Sequence, residues 1–210
     1  MTQSETHAVA AEPSWDGGVA PYGTGSKKLG MWLFIFADSL TFGACLVAYS
    51  YVRLASTDWP RPFEAASITN AIVMTACLLT SSLTMVMAVA GAHQNNRPKA
   101  VRFILLTMLG GIAFDILHIR EWLGLIHEGV SPSSNPWGTP LFGATFFGLT
   151  GLHMTHVTLG VLYLGVIATG FGRNKFTPED VEVSGLYWHF VDLVWMFILP
   201  MVYLLSIKLN

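Results

Sequence analysis

Five long apolar stretches, at about residues 29–52, 68–91, 101–125, 141–170 and 183–207, constrain this chain more than any other feature of its sequence. At 1.5 Å per residue each is long enough to cross about 30 Å of hydrocarbon as a helix. The expectation is an all-α membrane protein, a bundle of five transmembrane helices forming one domain over residues 29–207. Composition agrees, since 52% of the 210 residues are hydrophobic and 11% charged, against about 25% charged in a soluble domain. With no cluster or stripe of Lys and Arg, nucleic acid is not expected as a partner. Cys45 and Cys77 fall within apolar stretches and read as small packing residues rather than a disulfide.

Residues 1–28 are polar and rich in Gly, Ala and Pro, with no apolar core of a secretory signal. They read as a mostly disordered tail whose Lys27 and Lys28 mark the membrane edge. Arg97, Lys99, Arg102, Arg173 and Lys175 fall on the same side as that pair. Arg53, Arg61, Arg120 and Lys208 fall on the other. The excess places the N-terminus in the cytoplasm and the C-terminus outside.

The fourth stretch carries His153 and His156, whose separation turns a helix by about 300° and puts both imidazoles on one side, a turn apart. They are expected to share one environment. Ala144, Gly148, Gly151 and Thr155 form a small-residue strip on the same segment, where neighbouring helices could approach closely. Two histidines supply at most two ligands, and no Cys or Glu-x-x-His pattern accompanies them, so polar ties between buried helices outweigh a metal or haem site. No metal ligand set and no catalytic set is expected in the chain.

Other polar residues at membrane depth are Asp38, Asp115, His118, Glu121, His189 and Asp192, with Arg120 beside Glu121 as an expected snorkelling ion pair. Asp115, His118 and Glu121 repeat along one side of the third helix, as His189 and Asp192 do on the fifth. By depth, Asp38 lies roughly 14 Å and His156 roughly 20 Å from the inner side, so the carboxylate and the imidazole are expected partners. Three function classes use such residues: a proton-coupled transporter, a haem-binding electron carrier and a cofactor-free partner subunit. Only Gly110 and Gly111 interrupt a segment internally, so the broken helices of a transporter are not evident. The residues favour the partner subunit.

The motifs then resemble a known family, subunit III of the haem-copper respiratory oxidases. "LGMWLFIFADSLTFG" is similar to the family's opening helix, with Asp38 at its acidic position. Asn70, Ser81 and Ser82 fit the next helix, and Glu121 and Trp122 fit "FDILHIREW", where His118 stands in place of the family's Gln. "FGATFFGLTGLHMTHVTLG" and "GLYWHFVDLVWMFILPMVYLL" follow the family pattern through His153, His156, Trp188, His189, Asp192 and Trp195.

This resemblance implies a non-redox subunit of a proton-pumping oxidase that reduces dioxygen to water, in a bacterial inner (cell) membrane. Its partner would be subunit I, which holds the haems and copper. It implies tightly bound phospholipid, with Arg173 and Lys175 as expected phosphate contacts. Asp38, His153, His156, Glu121, His189 and Asp192 become the expected proton-linked or buried polar set. Asp38 leans toward quinol oxidases and "GLYWHFVDLVW" toward cytochrome c oxidases, with cytochrome c favoured. A quinol oxidase subunit and the related accessory protein of nitric oxide reductase are the alternatives. The longest family members have two further helices before these five and a lipid-filled cleft beside them, so either another subunit supplies those helices or the cleft is absent.

Overall fold

The structure, a computed structural model, describes residues 25–208, so most of the polar tail expected at 1–28 lies outside the described residues. Five helices follow: α1 Ser26–Ala55, α2 Ala65–His93, α3 Arg97–His127, α4 Pro140–Gly172 and α5 Pro178–Ile198. Each is long and apolar enough to cross a membrane. The helices run past the apolar stretches because polar residues start and stop them. Asn96 accepts a hydrogen bond from the Lys99 N–H at the start of α3. At the start of α5, Asp180 accepts from both the N–H and the hydroxyl of Thr177. Pro178 occupies the first turn, where its missing N–H goes unneeded. Residues 178–182, outside the apolar stretch at 183–207, are therefore helical, and residues 26–28 are the first turn of α1 rather than tail.

α5 ends in a distorted turn, Leu199–Tyr203, and a tight one, Leu204–Ser206. Pro200 sits at the beginning of the distortion, where it removes the N–H that would continue the helical ladder. The chain then pairs back across the bundle, with Phe63 N–H donating to Ser206 O at 3.4 Å and Lys208 N–H to Phe63 O at 3.0 Å. Lys208 and Glu64 flank that pairing as an exposed ion pair at 2.9 Å. Each partner shifts the other, the Glu64 carboxyl downward and the Lys208 amine upward. Glu64's share is thus present above the ordinary carboxylate range and lost as pH falls through the lowered value. Lys208's share is lost only as pH rises through its raised one, so the pair persists through neutrality.

Helices α2, α3, α4 and α5 close into a ring in which each packs against the next and α5 returns to α2, while α1 lies outside it in the groove between α4 and α5. Only 6% of the apolar window of α1 is buried, against 50% for α5. α1 is fastened at three levels. At the end of the bundle holding its N-terminus, the first end, Lys27 meets Asp180 at 2.7 Å and Lys28 meets Glu182 at 2.5 Å. At the other, second end, Arg53 donates to Ser206 Oγ at 3.0 Å and to Leu205 O. The third fastening is at mid-depth, between Asp38 and His156.

Tryptophans tie the ring together through hydroxyls on neighbouring helices. Trp188 Nε1 donates to Ser81 Oγ at 3.0 Å, Trp195 Nε1 to Thr75 Oγ1 at 2.9 Å and Trp122 Nε1 to Thr150 Oγ1 at 3.2 Å. Each ring fills apolar volume while its N–H finds the partner a buried indole requires.

Candidate functional site

The polar residues at membrane depth divide into separate groups rather than one cluster. On α4, His156 Nδ1 lies 2.8 Å from Leu152 O one turn back. A carbonyl only accepts, so Nδ1 holds a hydrogen and Nε2 is left to face Asp38. The structure brings these two residues together, with Nε2 3.2 Å from Asp38 Oδ2 and each side chain 14% exposed. The two are in ion-pair range without a hydrogen bond, since Oδ2 has no hydrogen-bond partner among the described residues.

For the contact to attract, one proton must be shared between Nε2 and Oδ2. Held by nitrogen it gives imidazolium and carboxylate; held by oxygen it gives neutral imidazole and carboxylic acid. Both forms have zero net charge, which permits burial of two titratable groups in hydrocarbon. Tyr187 donates to His156 O at 2.9 Å, and Phe42 packs edge-on against the imidazole with ring centres 5.1 Å apart.

His153, one turn away, shares with it the ring of Phe42, 6.5 Å off between centres, but not its polar partners. It is fully buried, and its Nε2 lies 3.1 Å from Val191 O on α5, so here Nε2 is the donor. The common environment expected of the two is therefore limited to Phe42, because about 60° of helical offset points His153 into the ring and His156 toward α1. The small-residue strip is corrected in part. Ala144, Gly148 and Thr155 are exposed, and nothing lies within 4 Å of where a Cβ on Gly148 would stand. Ala144 is nine residues from His153, about 180° around the helix, so strip and buried histidine occupy opposite faces. Within the strip, close approach occurs at Gly151, where an added Cβ would stand 3.0 Å from the ring of Trp122 of α3, and beyond the strip at Gly160, where it would stand 3.0 Å from the rings of Trp188 and Tyr187.

On α3 the three residues expected along one side diverge. Asp115 accepts from the Thr158 hydroxyl of α4 at 3.0 Å, and Glu121 accepts from Asn70 Nδ2 of α2 at 2.7 Å. His118 between them is fully buried against Phe114, Trp122 and Trp195. The expected Arg120–Glu121 ion pair is absent among the described residues; consecutive positions on a helix diverge by about 100°, and Glu121 is already engaged by α2. On α5, His189 Nδ1 meets Ser82 Oγ of α2 at 2.6 Å, and Asp192 is buried a turn along. Arg173 and Lys175 are exposed beyond the end of α4, at the first end of the bundle.

Reasoning from the sequence missed Thr75, Thr150 and Thr158 as partners. The available signal was a hydroxyl residue interrupting an apolar run, but the azimuth that selects its partner is a property of the assembled helices. Among the described residues no group of three or more His, Cys, Asp or Glu side chains is placed to hold a metal ion.

Comparison with known proteins gives the same reading over nearly the whole chain. A family model for cytochrome c oxidase subunit III matches residues 4–207. Cytochrome c oxidase subunit 3 of Alkalihalophilus pseudofirmus is 31% identical over 185 residues, covering 87% of this chain and 88% of its own length. Quinol oxidase subunit 3 of Bacillus subtilis is 31% identical over 182 residues, covering 85% of this chain and 87% of its own. Cytochrome bo(3) ubiquinol oxidase subunit 3 of Pseudomonas aeruginosa is 30% identical over 185 residues, covering 87% and 86%.

Proposed function

The chain belongs to the cytochrome c oxidase subunit III family, and from that premise we propose that it is the non-redox subunit III of a cytochrome c oxidase, docked on subunit I. As a subunit III it is a multi-pass membrane component of a terminal oxidase and has other oxidase subunits as partners. The observation that carries the non-redox reading is the division of its buried histidines. His153 is bonded to a backbone carbonyl, His156 to a carbonyl with a carboxylate beside it, and His189 to a serine, while His118 is packed among Phe114, Trp122 and Trp195, and among the described residues no three His, Cys, Asp or Glu side chains are grouped to hold a metal. The haems and copper reside in subunit I. The N-terminus lies in the cytoplasm and the C-terminus outside, on the excess of basic residues at the first end.

The chain purified alone is expected to show no haem absorbance and no oxygen consumption, whereas the intact complex oxidises reduced cytochrome c. A stoichiometric Soret band on the isolated chain would refute the non-redox reading. Oxidation of quinol, but not of cytochrome c, by the complex would move the assignment to the quinol oxidases, toward which Asp38 leans.

Two further roles belong to this reading. The Asp38–His156 pair supports proton supply to subunit I, on the strength of the 3.2 Å approach of two titratable side chains between the exposed helix α1 and α4. Arg173 and Lys175 hold a phospholipid phosphate at the first end, where a basic residue near an anionic surface gains about 1 kcal/mol. Replacing both by alanine is expected to reduce phospholipid retained by the purified complex, counted by mass spectrometry; unchanged retention would remove them from lipid binding.

A further inference from the structure

A furrow runs along the outside of the ring between α2 and α3, far from α1 and from Asp38. Its mouth, about 480 Å³, opens at the second end of the bundle beneath Pro62 and is lined by Asn70, Arg120, Glu121 and Glu128 among others. Val73 is shared with a second stretch of about 530 Å³, whose walls are largely apolar and include Ile72, Ala76, Leu106 and Leu109. A polar mouth that passes into an apolar trough reproduces the layering of a lipid leaflet.

Length decides between an acyl chain and a helix as the occupant. From Ile72 to Thr84 the trough follows α2 for twelve residues, about 18 Å. That is close to one leaflet of a hydrocarbon core about 30 Å thick, whereas a spanning helix needs the whole of it. The trough also has a floor. Thr84 Oγ1 meets Thr107 Oγ1 at 2.8 Å, and beyond it Gly91 packs so closely that a Cβ there would stand 3.1 Å from the backbone nitrogen of Ala100.

Charge selects the headgroup. Arg120 and Glu128 are exposed and neither has an ion-pair partner among the described residues, while Glu121 is bonded to Asn70. One guanidinium can take a phosphate, but two carboxylates beside it disfavour a net anionic headgroup. A quaternary ammonium is best held by aromatic faces, and no aromatic residue lines the mouth. A primary ammonium has N–H groups that carboxylates accept. We propose that the α2/α3 furrow binds one phospholipid with a phosphate-and-primary-ammonium headgroup, the phosphate at Arg120, the ammonium at Glu128 and one acyl chain along Val73, Ile72 and Leu106. This site is at the opposite end of the bundle from Arg173 and Lys175 and does not depend on their role.

The test uses the intact oxidase complex, exchanged into vesicles of phosphatidylethanolamine, phosphatidylcholine or phosphatidylglycerol, washed in detergent and counted for retained lipid by mass spectrometry. Wild type should retain one more phosphatidylethanolamine per chain than Arg120→Ala or Val73→Trp, the latter filling the trough from a half-exposed position. Leu162→Trp, on the exposed side of α4, should retain as much as wild type. Should Arg120→Ala not assemble, Glu128→Gln tests the headgroup and Val73→Trp the trough. Equal retention of the three lipids would overturn the headgroup assignment, and unchanged retention in Val73→Trp would overturn the site. A partner polypeptide cross-linked through Cys77, which lines the trough, would show the furrow to be a protein interface instead.

Discussion

Trp188→Ala should remove the subunit from the purified oxidase almost completely. The side chain is 1% exposed and stands where three other helices meet. Its Nε1 bonds Ser81 of α2, and its ring is packed against Gly111 of α3 and Gly160 of α4. Truncating a buried tryptophan costs about 3–5 kcal/mol through lost contacts and the cavity left behind. That is a large part of the roughly 5–15 kcal/mol that holds a typical domain folded. Trp188→Phe keeps most of the volume and loses the indole hydrogen bond, so about 1 kcal/mol is expected. The converse change, Gly111→Val, should be as severe as the truncation. A Cβ on Gly111 would stand 2.5 Å from Trp188 Cη2, and a rigid ring enclosed by three helices cannot retreat. The amount of subunit co-purifying with the complex, together with the thermal midpoint of its release, measures both. A Trp188→Ala complex with wild-type stoichiometry and midpoint would show that this junction does not hold the ring.

The glycines at that junction show where reading the chain alone reached its limit. Five helices were legible because bilayer thickness sets the length of an apolar run, and that length survives in the sequence whatever the packing. Which face of a helix turns inward was not legible in the same way. On α4 the small-residue strip resembled a packing face, yet the buried face is the one bearing His153. The volume facing it is supplied by Trp195 and Phe114, 5.2 and 5.5 Å away between ring centres. Large aromatics with a histidine define that interface; of the strip, Gly151 meets Trp122 of α3, while Ala144, Gly148 and Thr155 face outward.

Among the site residues, the Asp38–His156 contact could be reached from depth alone, since each is the titratable group at that level of its helix. The partner of His153 could not. A backbone carbonyl such as Val191 O has no signature in sequence, and it is available only because α5 lies against α4 at that height. Glu121 illustrates the same point from the other side. Its neighbour in sequence, Arg120, suggested a pair, but the helix turns the two apart and delivers Asn70 from α2 instead.

Asp38→Asn is expected to leave assembly nearly intact while lowering turnover, proton pumping and survival of the complex over repeated cycles. Asparagine has the shape of aspartate and can donate to Nε2 of His156 or accept from it, so loss of one charge-assisted contact costs about 1 kcal/mol. Asp38→Ala leaves His156 unpaired in hydrocarbon and, as the breaking of a buried pair, costs about 3–5 kcal/mol. The two variants therefore separate bracing from proton handling. If the 3.2 Å contact only fastens α1 to the ring, activity should follow stability, with Asn close to wild type and Ala far below it. If the proton shared between Oδ2 and Nε2 is what subunit I draws upon, the titratable group is missing in both. Asn and Ala should then show the same loss of turnover despite their different stabilities. Retaining α1 through Lys27, Lys28 and Arg53 keeps the comparison meaningful, because those ties hold both ends of the helix when the middle one is cut. An Asp38→Asn complex that matches wild type in turnover, pumping and endurance would assign the pair to bracing alone.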